Sequence, residues 1–258
     1  MKTKEEITKN WLPRYTSMAL EEFGEYILLC NFRHYIESFS QHYGCEIKGV
    51  DNNMQACTHN NITIINFGMG SPNAATIMDL LSAITPKAVI FLGKCGSLKD
   101  KMPVGSFLLP TAGLRGEGTS DDYYPVIVPA LPAFALQKAL STTIREYEQD
   151  YWSDTVYTTN RRVWEYDEPF KEYLRSLRAG AIDMETATIF SVAFANEIPV
   201  GALLLVSDQP MIPEGIKTSE SDKNVTKNYV DLHLKIGIAS LQQLQNKTTT
   251  IKHLRFED

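Results

Sequence analysis

Ile62-Thr-Ile-Ile-Asn-Phe67 runs into Gly68-Met-Gly-Ser-Pro-Asn73, continues as Ala74-Ala-Thr-Ile-Met-Asp-Leu-Leu-Ser-Ala-Ile84 and reaches Ala88-Val-Ile-Phe-Leu92. The first and last runs are short and apolar, as strands covered on both faces are. Between them a glycine turn opens a helix over Pro72–Ile84. The same alternation extends along the chain. Further strands are expected at Tyr26–Cys30, Ser106–Leu109, Thr155–Thr159 and Val200–Val206, and further helices at Phe32–His42, Pro132–Tyr147, Glu168–Leu177, Glu185–Asn196 and Asn224–Leu244. In the last helix Val225, Tyr229, Leu232, Ile236 and Ala239 form one apolar stripe. Strand and helix in alternation imply a single-domain α/β sandwich with a largely parallel or mixed sheet.

The chain has 258 residues, 43% of them hydrophobic and 22% charged. No Gly/Ser linker or repeat divides it, so residues 1–258 are read as one domain. Its 25 basic and 31 acidic residues leave −6, which offers no general attraction for nucleic acid or an anionic membrane. The first ten residues lack an apolar core and no run approaches the ~18 residues of a span, so a cytoplasmic protein is expected. Cys30, Cys45, Cys57 and Cys95 have no C-x-x-C spacing and are expected to be buried free thiols. His34, His42, His59, His233 and His253 show no ligand spacing, so neither metal nor cofactor is assigned.

Chemistry-bearing residues collect near the ends of the expected strands. Gly68–Asn73 lacks the third glycine and the following acid of a dinucleotide fingerprint. A turn whose backbone N–H groups face an anion or a sugar fits better, with Met69 and Gly70 at its tip. Gly93-Lys-Cys-Gly-Ser-Leu98 reads as a second glycine turn after a strand. Gly113–Asp122 and Ile212–Asn224 read as surface loops. Ala181-Ile-Asp-Met-Glu-Thr-Ala-Thr188 sets Asp183 and Glu185 where a strand becomes a helix, and Asp208 ends the run from Val200. Each acid has a plain structural role open to it: a first-turn acid for Glu185, a helix-start hydrogen bond for Asp183, a turn cap for Asp208.

Taken together, Gly68-Met-Gly-Ser-Pro72, Gly93-Lys-Cys-Gly-Ser97, Ile182-Asp-Met-Glu-Thr-Ala187 and Leu205-Val-Ser-Asp208 resemble the purine nucleoside phosphorylase and uridine phosphorylase superfamily. Within it, Leu12-Pro-Arg-Tyr-Thr16, Val156-Tyr-Thr-Thr-Asn-Arg-Arg-Val-Trp164, Ser207-Asp-Gln-Pro210, Gly215-Ile-Lys217 and His233-Leu-Lys-Ile-Gly237 resemble the catalytic domain of the AMP nucleosidases. The longer members carry an N-terminal regulatory domain, which is not expected here.

The resemblance implies a nucleoside-phosphorylase-like fold, a single-domain three-layer α/β/α sandwich with a mixed central sheet, and hydrolysis of AMP to adenine and ribose 5-phosphate. Asp208 would protonate or hydrogen-bond the purine at N7, a role that needs a carboxyl kept protonated by its surroundings. Glu185 would accept from the ribose hydroxyls as an ionised carboxylate, and Met184 would pack under the sugar. Thr159 and Trp164 would wall the base, unless Trp164 is an ordinary core aromatic. By the same resemblance Arg33 stands at an anion-binding position and Lys94 in the substrate pocket; Arg115 and Lys217 are further cationic candidates, though each of these two equally suits a solvated surface. Hexameric purine phosphorylases place an arginine and a serine where this chain has Phe91 and Lys94, which implies water in place of phosphate as nucleophile. Their N-terminal histidine, which reaches a neighbour's site, corresponds to Arg14, whose guanidinium suits a phosphate. A homohexamer built from dimers with shared sites follows from that resemblance. A phosphorolytic enzyme and a non-catalytic nucleotide sensor are the rival readings.

Overall fold

The computed structural model describes residues 2–246, so His253 lies outside the described residues. Among these, eight strands form one mixed sheet: β1 (Tyr26–Cys30), β2 (Gln55–His59), β3 (Ile62–Asn66), β4 (Ala88–Ser97), β5 (Phe107–Gly116), β6 (Tyr151–Thr159), β7 (Ala181–Asp183) and β8 (Val200–Asp208). Their order is β2-β3-β1-β4-β7-β6-β5-β8, and β4 also pairs with β8. One half of the sheet therefore closes on itself, while β1, β3 and β2 extend from it as a wing. β1 runs parallel to β3 and β4, and β4 parallel to β8. β2–β3, β4–β7 and β5–β8 are antiparallel.

Among the described residues seven α-helices cover the sheet: α1 (Lys4–Thr16), α2 (Arg33–Tyr43), α3 (Ser71–Leu80), α4 (Phe134–Glu146), α5 (Glu168–Leu177), α6 (Thr186–Ala195) and α7 (Ser219–Asn246). The period-two geometry of a strand divides each apolar run between two cores. Ile27 and Leu29 of β1, Val89 and Phe91 of β4, and Ala202 and Leu204 of β8 pack with residues of α1, α3 and α6. Leu28, Ile90, Leu203 and Leu205 turn to the other face and pack with α2, α4 and α7. Each such large side chain contributes about 1.5–3 kcal/mol by burial. His233 pins the second layer: its ring lies 2.8 Å from Tyr35 Oη and 2.9 Å from the Leu203 carbonyl, and burial holds its pKa down to about 3, so it is neutral. No helix among the described residues is long and apolar enough to cross a membrane.

Four expectations are corrected. Gly93–Ser97 is no turn: it continues β4, paired with β8 on one side and with β7 on the other, with a register shift at Cys95/Gly96. Gly113–Gly116 belongs to β5, where pairing with β6 satisfies backbone groups that a loop would leave to water. α7 begins at Ser219, inside the stretch read as a loop. Cys45 and Cys57 are joined by a disulfide, whereas Cys30 and Cys95 are free and buried. Antiparallel pairing of Lys48 with Ala56 folds the chain back and sets the two Cα atoms 6.3 Å apart, within disulfide reach. Spacing along the sequence carries no trace of that contact.

Candidate active site

The sheet brings the ends of β1, β4, β6, β7 and β8 around one cavity of about 270 Å³. The closed half of the sheet makes this possible. β7 runs against β4 with Ile182 opposite Gly96, so the segment that follows β7 lies beside Lys94 and Cys95. β8 lies on the other side of β4 and delivers Asp208 opposite Gly96. Only a glycine fits there: a Cβ on Gly96 would stand 2.9 Å from Pro210 and 3.3 Å from Asp208 Oδ2.

Asp183 is a helix-start acid. Its carboxylate accepts from the backbone N–H of Thr186 at 2.8 Å and from Thr158 Oγ1 at 2.7 Å, which ties the first turn of α6 to β6. Burial raises its pKa, and these hydrogen bonds work against that. Glu185 is 2% exposed and accepts from the Gly70 N–H at 2.7 Å. Gly70 has φ +95°, which aims that N–H inward in a conformation that L side chains rarely adopt. Burial first, and the Asp183 charge second, push the Glu185 carboxyl up to about 8. Glu185 therefore binds a proton more tightly than an ordinary carboxylate does, the affinity a group needs to take one up near neutral pH.

Asp208 accepts from Ser207 Oγ at 2.6 Å and pairs with Lys217 Nζ at 3.4 Å. Lys94, its side chain 3% exposed, reaches Asp222 Oδ1 at 3.0 Å and Thr226 Oγ1 at 3.0 Å, with the Phe32 ring centroid 4.7 Å away. Burial pulls the Lys94 pKa down, and Asp222 opposes it. Met69, Met184, Thr159 and Trp164 complete the wall. Trp164 is both core and lining: it is 4% exposed and packs edge-on against Phe170 at 5.5 Å.

Met69, Lys94, Thr159, Trp164, Met184, Glu185, Asp208 and Lys217 therefore line one cavity, with Gly70 one hydrogen bond behind it. Arg115 does not join them. Its guanidinium, 3% exposed, bonds Ser120, Asp121 and the carbonyls of Tyr124, Pro125 and Val128, so it fastens its own loop. Arg33 is exposed and pairs with Glu37 at 2.7 Å, outside the lining. Arg14 is exposed on α1, 5.9 Å from the Trp11 ring, and is also outside it. Phe91 is fully buried against Phe67 in the core, so it says nothing about the nucleophile.

Asn31, Phe32, Arg161, Arg162, Glu165 and Asp222 also line the cavity and were not singled out from the sequence. Asn31 carries a usable signal, because it is a polar residue directly after a wholly apolar strand, much as Asp208 closes the apolar run of β8. Among the described residues no group of three or more His, Cys, Asp or Glu is placed to hold a metal ion. A larger hollow of about 660 Å³ between α2 and α7 lacks this convergence of acids and strand ends.

Two carboxyls at the ends of the strands that flank β4, with two lysines beside them, suit cleavage of a bond between a base and an anionic sugar. The chain belongs to the phosphorylase superfamily, whose model matches residues 25–242. It is similar to a crystal structure of an AMP nucleosidase from Bacteroides thetaiotaomicron, at 53% identity and a TM-score of 0.86 over 95% of this chain and 98% of that one. It is 29% identical to the AMP nucleosidase of Escherichia coli K12 across 91% of this chain and 58% of that protein. The chain thus spans less than two thirds of that curated relative. A uridine phosphorylase structure from Vibrio fischeri shares the fold at 20% identity and a TM-score of 0.76, over 87% of this chain and 93% of that one.

Proposed function

We propose that this chain is an N-ribosyl hydrolase, acting in the cytoplasm as one catalytic domain, that cleaves AMP with water to adenine and ribose 5-phosphate. The observation that carries the reading is the meeting of Glu185 and Asp208 in one cavity beside Lys94 and Lys217, together with the likeness to the two AMP nucleosidases. Breaking the glycosidic bond leaves positive charge on the ribose and negative charge on the purine. Asp208 meets the purine at N7: as substrate enters it gives up Lys217, takes a proton from water and passes it to the departing base. Glu185 holds the ribose hydroxyls, and Met184 packs under the ring.

Thr159 and Trp164 bound the base. Lys94 and Lys217 are the anion-binding groups within the subunit, and Arg14 supplies a further cation from a neighbour in a homohexamer with shared sites. Arg115 is withdrawn from the site, and Arg33 needs to leave Glu37 before it could contribute. The substrate is a small molecule, with no nucleic acid or membrane partner and no cofactor. Incubation with AMP, adenosine and IMP, with and without inorganic phosphate, tests the reading. Ribose 5-phosphate formed from AMP without phosphate is the expected result. Ribose 1,5-bisphosphate formed only when phosphate is present overturns it.

A further inference from the structure

Among the described residues, one buried side-chain polar atom has no hydrogen-bond partner: Asn31 Oδ1. A buried amide oxygen left so has lost its hydration without replacement, so an orphan of this kind calls for an explanation in the bound state. Asn31 follows β1, is 7% exposed and lines the cavity. Its side chain hydrogen-bonds Glu185, and an amide donates only through nitrogen, so Nδ2 takes that contact and Oδ1 is left facing elsewhere. The oxygen waits for a donor that the protein does not provide.

We infer that Asn31 holds the attacking water: its amide oxygen accepts one hydrogen of the water while the adjoining Glu185 carboxylate accepts the other. The inference rests on the hydrolytic reading above. With Nδ2 on Glu185, Oδ1 and that carboxyl are neighbouring acceptors that one small donor can span. A nucleophilic water needs two acceptors to fix its lone pair, and one of them must take a proton. Glu185, held at about 8 by burial and the Asp183 charge, binds a proton more strongly than an ordinary carboxylate does once it is ionised.

The step balances. The water oxygen bonds to C1′ as the C1′–N9 bond breaks, and the bonding pair leaves with the purine, which takes a proton from Asp208. One water proton passes to Glu185. The other, held on Asn31, stays on the new C1′ hydroxyl.

The test compares the wild type with Asn31→Ala and Asn31→Asp, using AMP and its 2′- and 3′-deoxy analogues. Asn31→Ala is expected to lower kcat by ~10²-fold, the cost of a misplaced nucleophile. AMP affinity, measured in an Asp208→Asn background, should change by less than about threefold, which also verifies the fold. The loss in kcat should be the same for the deoxy substrates. In methanol–water mixtures Asn31→Ala should give a larger share of methyl riboside 5-phosphate than the wild type. Asn31→Asp, which keeps an oxygen in place, should partition closer to the wild type.

If the wild type does not hydrolyse AMP, the functional reading falls and takes the inference with it. If the wild type is active and Asn31→Ala keeps its kcat, the inference alone falls. A loss that vanishes with a deoxy substrate assigns Asn31 to a ribose hydroxyl and likewise overturns it, as does a methanol ratio that no substitution moves.

Discussion

Replacing Glu185 by glutamine removes a buried ionisation while keeping the shape of the side chain. The carboxyl has an ordinary value of 4.5 and is held at about 8 in the folded chain, by burial first and by Asp183 second. Below 4.5 both folded and unfolded chains hold the proton, and the group leaves stability unchanged. Between 4.5 and about 8 the unfolded chain has released a proton that the folded chain keeps, so stability falls as pH rises. Above about 8 the folded carboxyl ionises too and the loss is complete. At ~1.36 kcal/mol per tenfold change in proton affinity, the interval amounts to on the order of 5 kcal/mol. Glutamine does not ionise, so Glu185→Gln should lack this slope. Urea unfolding of both proteins at pH 5, 7 and 9, at one protein concentration, measures it. The variant should gain on the wild type by several kcal/mol between pH 5 and 9. A stability difference constant to within ~1 kcal/mol over that range would refute the assigned proton affinity.

Asp208→Asn should reduce kcat by ~10²–10⁴-fold and change AMP affinity far less, since a general acid acts mainly in the transition state; near-normal turnover removes Asp208 from the mechanism. Arg14→Ala and Asp208→Asn, each inactive alone, should recover AMP cleavage when subunits exchange, because some mixed sites pair an intact Asp208 with a neighbour's intact Arg14. Verified exchange without activity shows that Arg14 serves no neighbouring site. Arg115→Ala should cost about 1–3 kcal/mol of stability, because the carbonyls of Tyr124, Pro125 and Val128 lose their donor, with the KM for AMP unchanged. A raised KM with unaltered unfolding would return Arg115 to the substrate.

The alternation of apolar runs and amphipathic stretches was enough to read an α/β sandwich, because burial on both faces leaves a strand no polar side to show. β1 and β8 were legible for that reason and α5 from its amphipathic stretch, and so was the placing of acids where β7 and β8 end. α1 also had a local signature that went unread: Thr3 and Glu6 cap it reciprocally, and that spacing is visible in the chain. What needed the tertiary structure was every property set by residues distant in sequence. Gly93–Ser97 looks like a turn until partners on both sides make it strand. Arg115 looks like a free cation until the carbonyls of its own loop take it up. The charge state of Glu185 depends on Asp183 and on closure of the cavity, since desolvation is a property of the surroundings and not of the residue. Asn31 became visible as an unpartnered acceptor only once every other buried polar side chain among the described residues had found its partner. Residue types and strand ends are local, and the sequence states them; pairing, burial and proton affinity are sums over neighbours that only the folded chain assembles.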